Sequence, residues 1–332
     1  MGPPGTGTSP TGFHAVDMPN PTHRPDRTRQ GELPFTGPAT FFKAPYLPLD
    51  EPWEADVGIL GIPYDFGVGF RPGARFAPNA VREASGRYPI GPEGYFDPTT
   101  EDFRLVGVRV VDAGDVDPAQ LEYAESFRRI TEAARTLRRK VRLPVFVGGD
   151  HSVTYPLLKA YDDVPELHVL QLDAHLDFSD HRNSTRYSNS SPFRRAAEDL
   201  PNLAHVTVVG LRGLRTNPEA YRAARARGHR LILARQVHDD LPWVLRTLPQ
   251  GRPLYVSVDV DVLDPSVAPG TGSPEVDGLR YGEVAKLLQA AVHDNRLVGL
   301  DLVEVAPNLD PTGLTALTAA RLLAEVLCYW WG

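Results

Sequence analysis

The feature that most constrains this chain is a repeated alternation. From about residue 55 onward, short β-branched apolar runs take turns with amphipathic stretches. The runs are DVGILGI (56–62), GVRVVDA (107–113), LPVFVGG (143–149), ELHVLQLD (166–173), HVTVVGL (205–211), RLILA (230–234), LYVSVDV (254–260) and LVGLDLVEV (297–305). The stretches that read as helices are 119–140, 218–228, 281–294 and about 315–329. Strands alternating with helices predict an α/β fold, a parallel sheet with helices on both faces. Several of the runs are apolar on both faces, as a doubly covered sheet requires. No repeat or linker divides residues 34–332, which read as a single domain. Residues 1–33 are rich in Pro, Gly, Thr and Arg, lack periodicity and read as a flexible N-terminal arm.

Composition narrows the function classes. The 332 residues carry a net charge of −7, which argues against a nucleic-acid or anionic-membrane surface and suits a small cationic substrate. The single cysteine, Cys328, rules out a disulfide within the chain and fits a reducing interior. The start lacks the basic and apolar regions of a signal peptide, and no apolar run approaches the length of a membrane span. The expected compartment is the cytoplasm.

Ligands of open parallel sheets bind outside the carboxyl ends of the strands. Four predicted strands end in polar clusters: Asp150 and His151; Asp173, His175 and Asp177; Asp259 and Asp261; and Glu304. In extended chain, residues i and i+2 project to the same side, so Asp259 and Asp261 reach one centre together. Packed carboxylates repel and take up protons unless cations neutralise them. Two divalent ions would do so, and mixed carboxylate and imidazole ligation suits Mn²⁺, and also Ni²⁺, Co²⁺ or Zn²⁺. Asp264–Pro265 reads as a turn, and Asp112 and Asp115 as loop braces. His181 differs from the other non-cluster histidines in closely following the 173–177 cluster.

GGDHS (148–152), DAHLD (173–177), SVDVDVLDPSVAPGTGSPEVDGL (257–279) and DLVEVAP (301–307) resemble the ureohydrolase family of arginases and agmatinases. The resemblance runs from about residue 36 to the C-terminus. FTGPATFFKAPY (35–46), GVGFRPGARFAPNAVREAS (67–85) and SNSSPFRRA (188–196) resemble the agmatinase branch, bacterial members above all. The resemblance implies a three-layer α/β/α arginase-like fold with a mostly parallel eight-stranded sheet. It also implies two divalent metal ions per chain, Mn²⁺ first, and a homo-trimer or homo-hexamer. The implied reaction hydrolyses a guanidino group to urea and an amine, with agmatine as the leading substrate. A guanidino acid and free guanidine are the alternatives, and a non-catalytic subunit is the competing class. Carried over residue by residue, the metal ligands are His151, Asp173, His175, Asp177, Asp259 and Asp261. Asp177 also accepts a hydrogen bond from the attacking hydroxide, and Glu304 holds the guanidinium.

The chain departs from the family in one place. Where many members carry a His-Gly pair it reads Ser188, Asn189, Ser190, and Asn189 cannot shuttle a proton. Asn189 is then expected to contact substrate, with His181 as a possible replacement for the missing imidazole. Arg182 and Arg186 raise a second question. Either would disfavour agmatine's cationic tail and suit a carboxylate if it faced the pocket.

Overall fold

The computed structural model describes residues 1–2 and 33–331; the arm expected over 1–33 lies almost wholly outside them. Each of the eight apolar runs forms a strand of one sheet. In chain order these are β1 (Ala55–Gly61), β4 (Val110–Asp115), β5 (Val141–Val147), β6 (Leu167–Leu172), β7 (Leu203–Leu211), β8 (Arg230–Leu233), β9 (Pro253–Asp259) and β10 (Arg296–Val303). A small antiparallel hairpin, β2 (Tyr95–Asp97) with β3 (Asp102–Arg104), stands apart. The sheet order is β4-β1-β5-β10-β9-β6-β7-β8, and every pairing in it is parallel.

Among the described residues, seven α-helices lie between strands, α1 (Ala77–Ser85), α2 (Tyr123–Arg138), α3 (Thr154–Lys159), α4 (Pro192–Asp199), α5 (Pro218–Ala226), α6 (Ala234–Thr247) and α7 (Tyr281–His293), and α8 (Leu314–Trp331) follows the last strand. The four expected helical stretches correspond to α2, α5, α7 and α8.

Strand side chains alternate between two cores, because successive residues project to opposite faces. Val145, Val256, Val258, Leu300 and Leu302 pack with apolar residues of α1, α6, α7 and α8. Phe146, Val169, Tyr255 and Val303 pack on the other side with α2, α3, α4 and α5. The result is three layers, with both faces of the sheet covered. Each fully buried Val or Leu stabilises this arrangement by about 1.5–3 kcal/mol before entropy is counted. Among the described residues, no helix is long and apolar enough to cross a membrane.

The sheet order decides where chemistry gathers. β5, β10, β9 and β6 lie side by side at its centre. These are the four strands whose ends carry the polar clusters.

Candidate metal centre

The ligands are delivered by the chain's exit from these four strands. After β5 the backbone must pass close to the segment leaving β1. A Cβ on Gly149 would stand 1.5 Å from the carbonyl oxygen of Tyr64, so only glycine fits there. Asp150 then caps the following turn. Its Oδ1 accepts from the Ser152 N–H at 2.8 Å, and its Oδ2 accepts from the Gly67 N–H at 2.7 Å. Asp150 therefore anchors the 67–71 loop beside the centre and is not a member of it.

Its neighbour His151 is fully buried. Oδ2 atoms of Asp173, Asp177 and Asp259 each lie 3.1 Å from His151 Nδ1. That nitrogen has no hydrogen-bond partner among the described residues. A second group consists of Asp173, His175 and Asp261. His175 Nδ1 is 3.0 Å from Asp261 Oδ2 and 3.6 Å from Asp173 Oδ1. Asp173 belongs to both groups, as a carboxylate shared between two cations would. Backbone donors orient these side chains. Asp173 Oδ1 accepts from the His175 N–H at 2.6 Å, Asp259 Oδ1 from the Asp261 N–H at 2.8 Å, and Asp261 Oδ1 from the Ala174 N–H at 3.1 Å.

The outer nitrogens of both imidazoles are also engaged. Ser257 Oγ lies 3.0 Å from His151 Nε2 and donates to Asp301 Oδ1 at 2.6 Å. Its proton is thereby committed to Asp301, so Oγ accepts from Nε2–H, and Nδ1 is the nitrogen turned toward the three carboxylates. The Oε1 atom of Glu275 stands 3.5 Å from His175 Nε2.

Titration behaviour reflects the crowding. Burial, then the charges of Asp177 and Asp261, pushes Asp173 up to about 7. Burial, then Asp261 and Asp173, raises Asp259 well above the carboxylate range. Burial opposes a charge on His175, yet the surrounding carboxylates lift it to about 11. His151 is raised in the same way against its own burial. Asp261 moves the other way: burial disfavours its charge, but His175, the Ala174 N–H and Arg212 hold it down. Without cations the cluster retains protons. A divalent ion would take the place of the proton on the buried His151 Nδ1, which faces three carboxylates, and the oxygen-rich donor set suits Mn²⁺.

The centre opens into a cavity of about 590 Å³, within the range that holds small ligands. Asp177, Asp259, Asp261, Glu304 and Asn189 all line it. Glu304 and Asp177 both adopt positive φ, 65° and 49°, a conformation costly for residues with a side chain. Glu304 Oε1 accepts from the His151 N–H at 2.9 Å and lies 3.3 Å from Asn189 Nδ2. Burial, then the charge of Asp150, pushes Glu304 up to about 8.

The structure corrects the expectation for His181. Its side chain is 60% exposed and its Nδ1 lies 3.0 Å from Asp180 Oδ2. It does not line the cavity, so it is not placed to replace a shuttle at position 189. Arg186 is likewise elsewhere, ion-paired to Glu198 at 2.8 Å, while Arg182 does line the cavity. Sequence reasoning missed Arg71, Arg215 and Glu275 on the cavity wall, and Ser257, Asp301 and Arg212 behind it. The available signal was a polar residue inside an apolar strand, as at Ser257 and Asp301.

The arginase family model matches residues 55–329. The human mitochondrial guanidino acid hydrolase is 36% identical over 297 residues, covering 85% of this chain and 80% of that protein. The agmatinase of Bacillus subtilis is 36% identical over 277 residues, covering 82% and 91% respectively. The solved proclavaminate amidino hydrolase of Streptomyces clavuligerus superposes with a TM-score of 0.78 at 32% identity, covering 90% of this chain and 98% of that one.

Proposed function

This chain belongs to the arginase family, and from that premise we propose that it hydrolyses the guanidino group of a short linear substrate, releasing urea and an amine. One observation carries the reading. Two His/Asp groups that share Asp173 open into the same cavity as the buried carboxylate Glu304.

His151, Asp173, Asp177 and Asp259 would hold one ion, and Asp173, His175 and Asp261 the other. Mn²⁺ comes first, with Ni²⁺ or Co²⁺ as alternatives. When bound, two such ions supply Lewis-acid chemistry that makes water nucleophilic near neutral pH. Glu304 binds the cationic guanidinium. The His151 N–H already occupies its Oε1, which leaves Oε2 for substrate N–H groups. Asn189 donates into the same corner and holds the Glu304 carboxylate in place, but it carries no proton to transfer. Proton movement falls to Asp177, which takes the proton of the attacking water and passes it to the departing amine.

Agmatine and the guanidino acids present the same reacting end to this machinery. Equal identity to a guanidino acid hydrolase and to an agmatinase does not choose between their tails. We also expect a homo-trimer or homo-hexamer, which light scattering would measure.

The test is urea release by Mn²⁺- or Ni²⁺-loaded protein from agmatine, arginine, 4-guanidinobutyrate, 3-guanidinopropionate and guanidine. Urea from any of them, abolished in Glu304→Gln, supports the reaction. Two bound metals per chain with no urea from the whole panel would defeat it.

A further inference from the structure

We infer that Arg182, assisted by Arg215, reads a carboxylate at the far end of the substrate, so that this chain takes guanidino acids ahead of agmatine. The inference rests on the reaction proposed above and concerns only the tail.

Arg182 and Arg215 line the cavity that holds Asp177, Asp259, Asp261 and Glu304. Among the described residues, neither guanidinium has a hydrogen bond or an ion pair. Four other arginines, by contrast, are committed. Arg186 pairs with Glu198 at 2.8 Å, Arg194 with the same carboxylate at 2.7 Å, and Arg195 with Asp180 at 2.7 Å. Arg71, on the same wall, spends Nε and Nη2 on the carbonyls of Gly272 and Thr271, each at 3.1 Å. In a neighbourhood this rich in acids, two unpartnered arginines facing one cavity are available to a ligand.

Arg182 is also preorganised. Its N–H and carbonyl exchange hydrogen bonds with those of Thr185, at 2.9 and 3.0 Å. Between them, Asn183 and Ser184 have φ of 51° and 62°. Two central residues at positive φ form a tight two-residue turn, which fixes the backbone of Arg182. The turn is docked. A Cβ on Gly69 would stand 2.1 Å from Asn183 Nδ2, so the 67–71 loop packs directly on it. That loop is tied to the metal-centre side by the Gly67 N–H on Asp150 at 2.7 Å, and its carbonyl accepts from the Asn189 N–H at 3.1 Å. Arg182 is therefore half-buried on a rigid mount continuous with the residue beside His151. Arg215, more exposed, approaches from the loop after β7.

The chemistry follows from the fork of a guanidinium. It meets a carboxylate with two parallel N–H···O bonds, an arrangement that an ammonium tail cannot accept. Agmatine would bring a second cation toward two arginines already present. A guanidino acid places its cation on Glu304 and its anion on Arg182.

The closing experiment compares 4-guanidinobutyrate with agmatine, on wild type and on Arg182→Gln, Arg182→Lys and Arg215→Gln, each with two metals per chain verified. The expected result is a wild-type preference for the acid. R182Q raises KM for the acid by about 10- to 100-fold with kcat little changed, and leaves KM for agmatine the same or lower. R182K restores only part of the loss, and R215Q has a smaller effect of the same sign. Equal losses on both substrates in R182Q would overturn the assignment. Wild-type turnover of agmatine with the acids inert would overturn it while leaving the reaction intact. Two bound metals and no urea from any compound would remove the reaction and the inference together. Should R182Q fail to fold, wild type decides. Butyrate is expected to inhibit competitively at lower concentration than butylamine, and the reverse order defeats the proposal.

Discussion

His151 Nε2 lies 3.0 Å from Ser257 Oγ, and that hydroxyl donates onward to Asp301 at 2.6 Å. Asp301 also accepts from Tyr255 Oη at 2.8 Å and Thr154 Oγ1 at 2.9 Å, so its position is fixed from three sides. A hydrogen-bonded outer nitrogen sets the tautomer of a metal-binding histidine and raises its basicity. Ser257→Ala should therefore keep the fold but weaken metal binding by about 10- to 100-fold. Metal titration followed by calorimetry would measure this. Unchanged affinity would mean that packing alone orients the ring, with Phe193 edge-on at 5.2 Å as the obvious support.

The carboxylate cluster predicts opposite pH behaviour with and without metal. In the folded chain Asp173 is pushed up to about 7 and Glu304 to about 8, while unfolded carboxyls titrate near ~4. Between those limits the folded state binds protons that the unfolded state has released. Stability from these groups is thus complete below the unfolded pKa and is lost as pH rises through the folded values. His151 and His175, both raised, act in the same direction. Cations take the place of the protons, so their binding releases protons and tightens as pH rises. Thermal melts with chelator and with Mn²⁺ should diverge between pH 5 and pH 8. A gap that narrows with rising pH would show that the cluster does not hold these protons.

The strands and the metal-capable residues were legible for the same physical reason: both depend on short-range pattern. β-branched runs mark strands, and the closely spaced Asp259 and Asp261 mark ligands. But the chain turns over Val260–Val262, so the two carboxylates do not reach one centre together as extended chain would have them, and they join different groups that share Asp173. Sheet order was not legible, because β5, β10, β9 and β6 become neighbours only through long-range pairing. Helices α3 and α4 are short and contain Pro156 and Pro192, and α6 is broken by Asp240 and Pro242, so none shows a clean helical period. His181 looked suitable from its nearness in sequence to Asp177. The tight turn that begins at Arg182 instead brings the arginine to the cavity, while His181 stays outside it, and only backbone dihedrals reveal that. Asp112 and Asp115 do brace the fold, but as partners of the buried Arg82, at 2.8 and 2.9 Å.

Arg212 is a staple that no motif announces. Its Nη2 donates to the carbonyls of Asp261 at 2.6 Å, Glu275 at 3.0 Å and Leu263 at 3.2 Å, and its Nη1 to Val262 at 3.1 Å. It thus ties the loop after β7 to the turn carrying Asp261 and to the segment carrying Glu275. Arg212→Met keeps the apolar stem and leaves these carbonyls short of donors, which should cost about 2–4 kcal/mol and lower metal occupancy. Arg212→Lys should recover little, because one ammonium cannot span the same acceptors. Denaturant unfolding with metal analysis checks both variants. A lysine variant as stable as wild type would defeat the staple.

His229 is expected to set the acid limit of stability. It is buried, its Nδ1 accepts from the Val206 N–H at 3.3 Å, and its ring meets Phe178 at 5.4 Å and His205 at 5.8 Å. Burial, then the nearby His205 and Arg227, lowers it to about 4. The folded chain keeps this ring neutral where an unfolded histidine, with a pKa near ~6.5, takes a proton. Stability from His229 is therefore complete above that unfolded value and is lost as pH falls toward 4. The full difference corresponds to about 3 kcal/mol. His229→Phe should remove this loss, at the expense of about 1 kcal/mol for the stranded Val206 N–H at all pH values. The variant is expected to melt below wild type at pH 7.5 and above it at pH 4.5. Parallel melting curves across that range would show that the acid limit lies elsewhere, with His168 and His205, both also lowered by burial, next to be replaced.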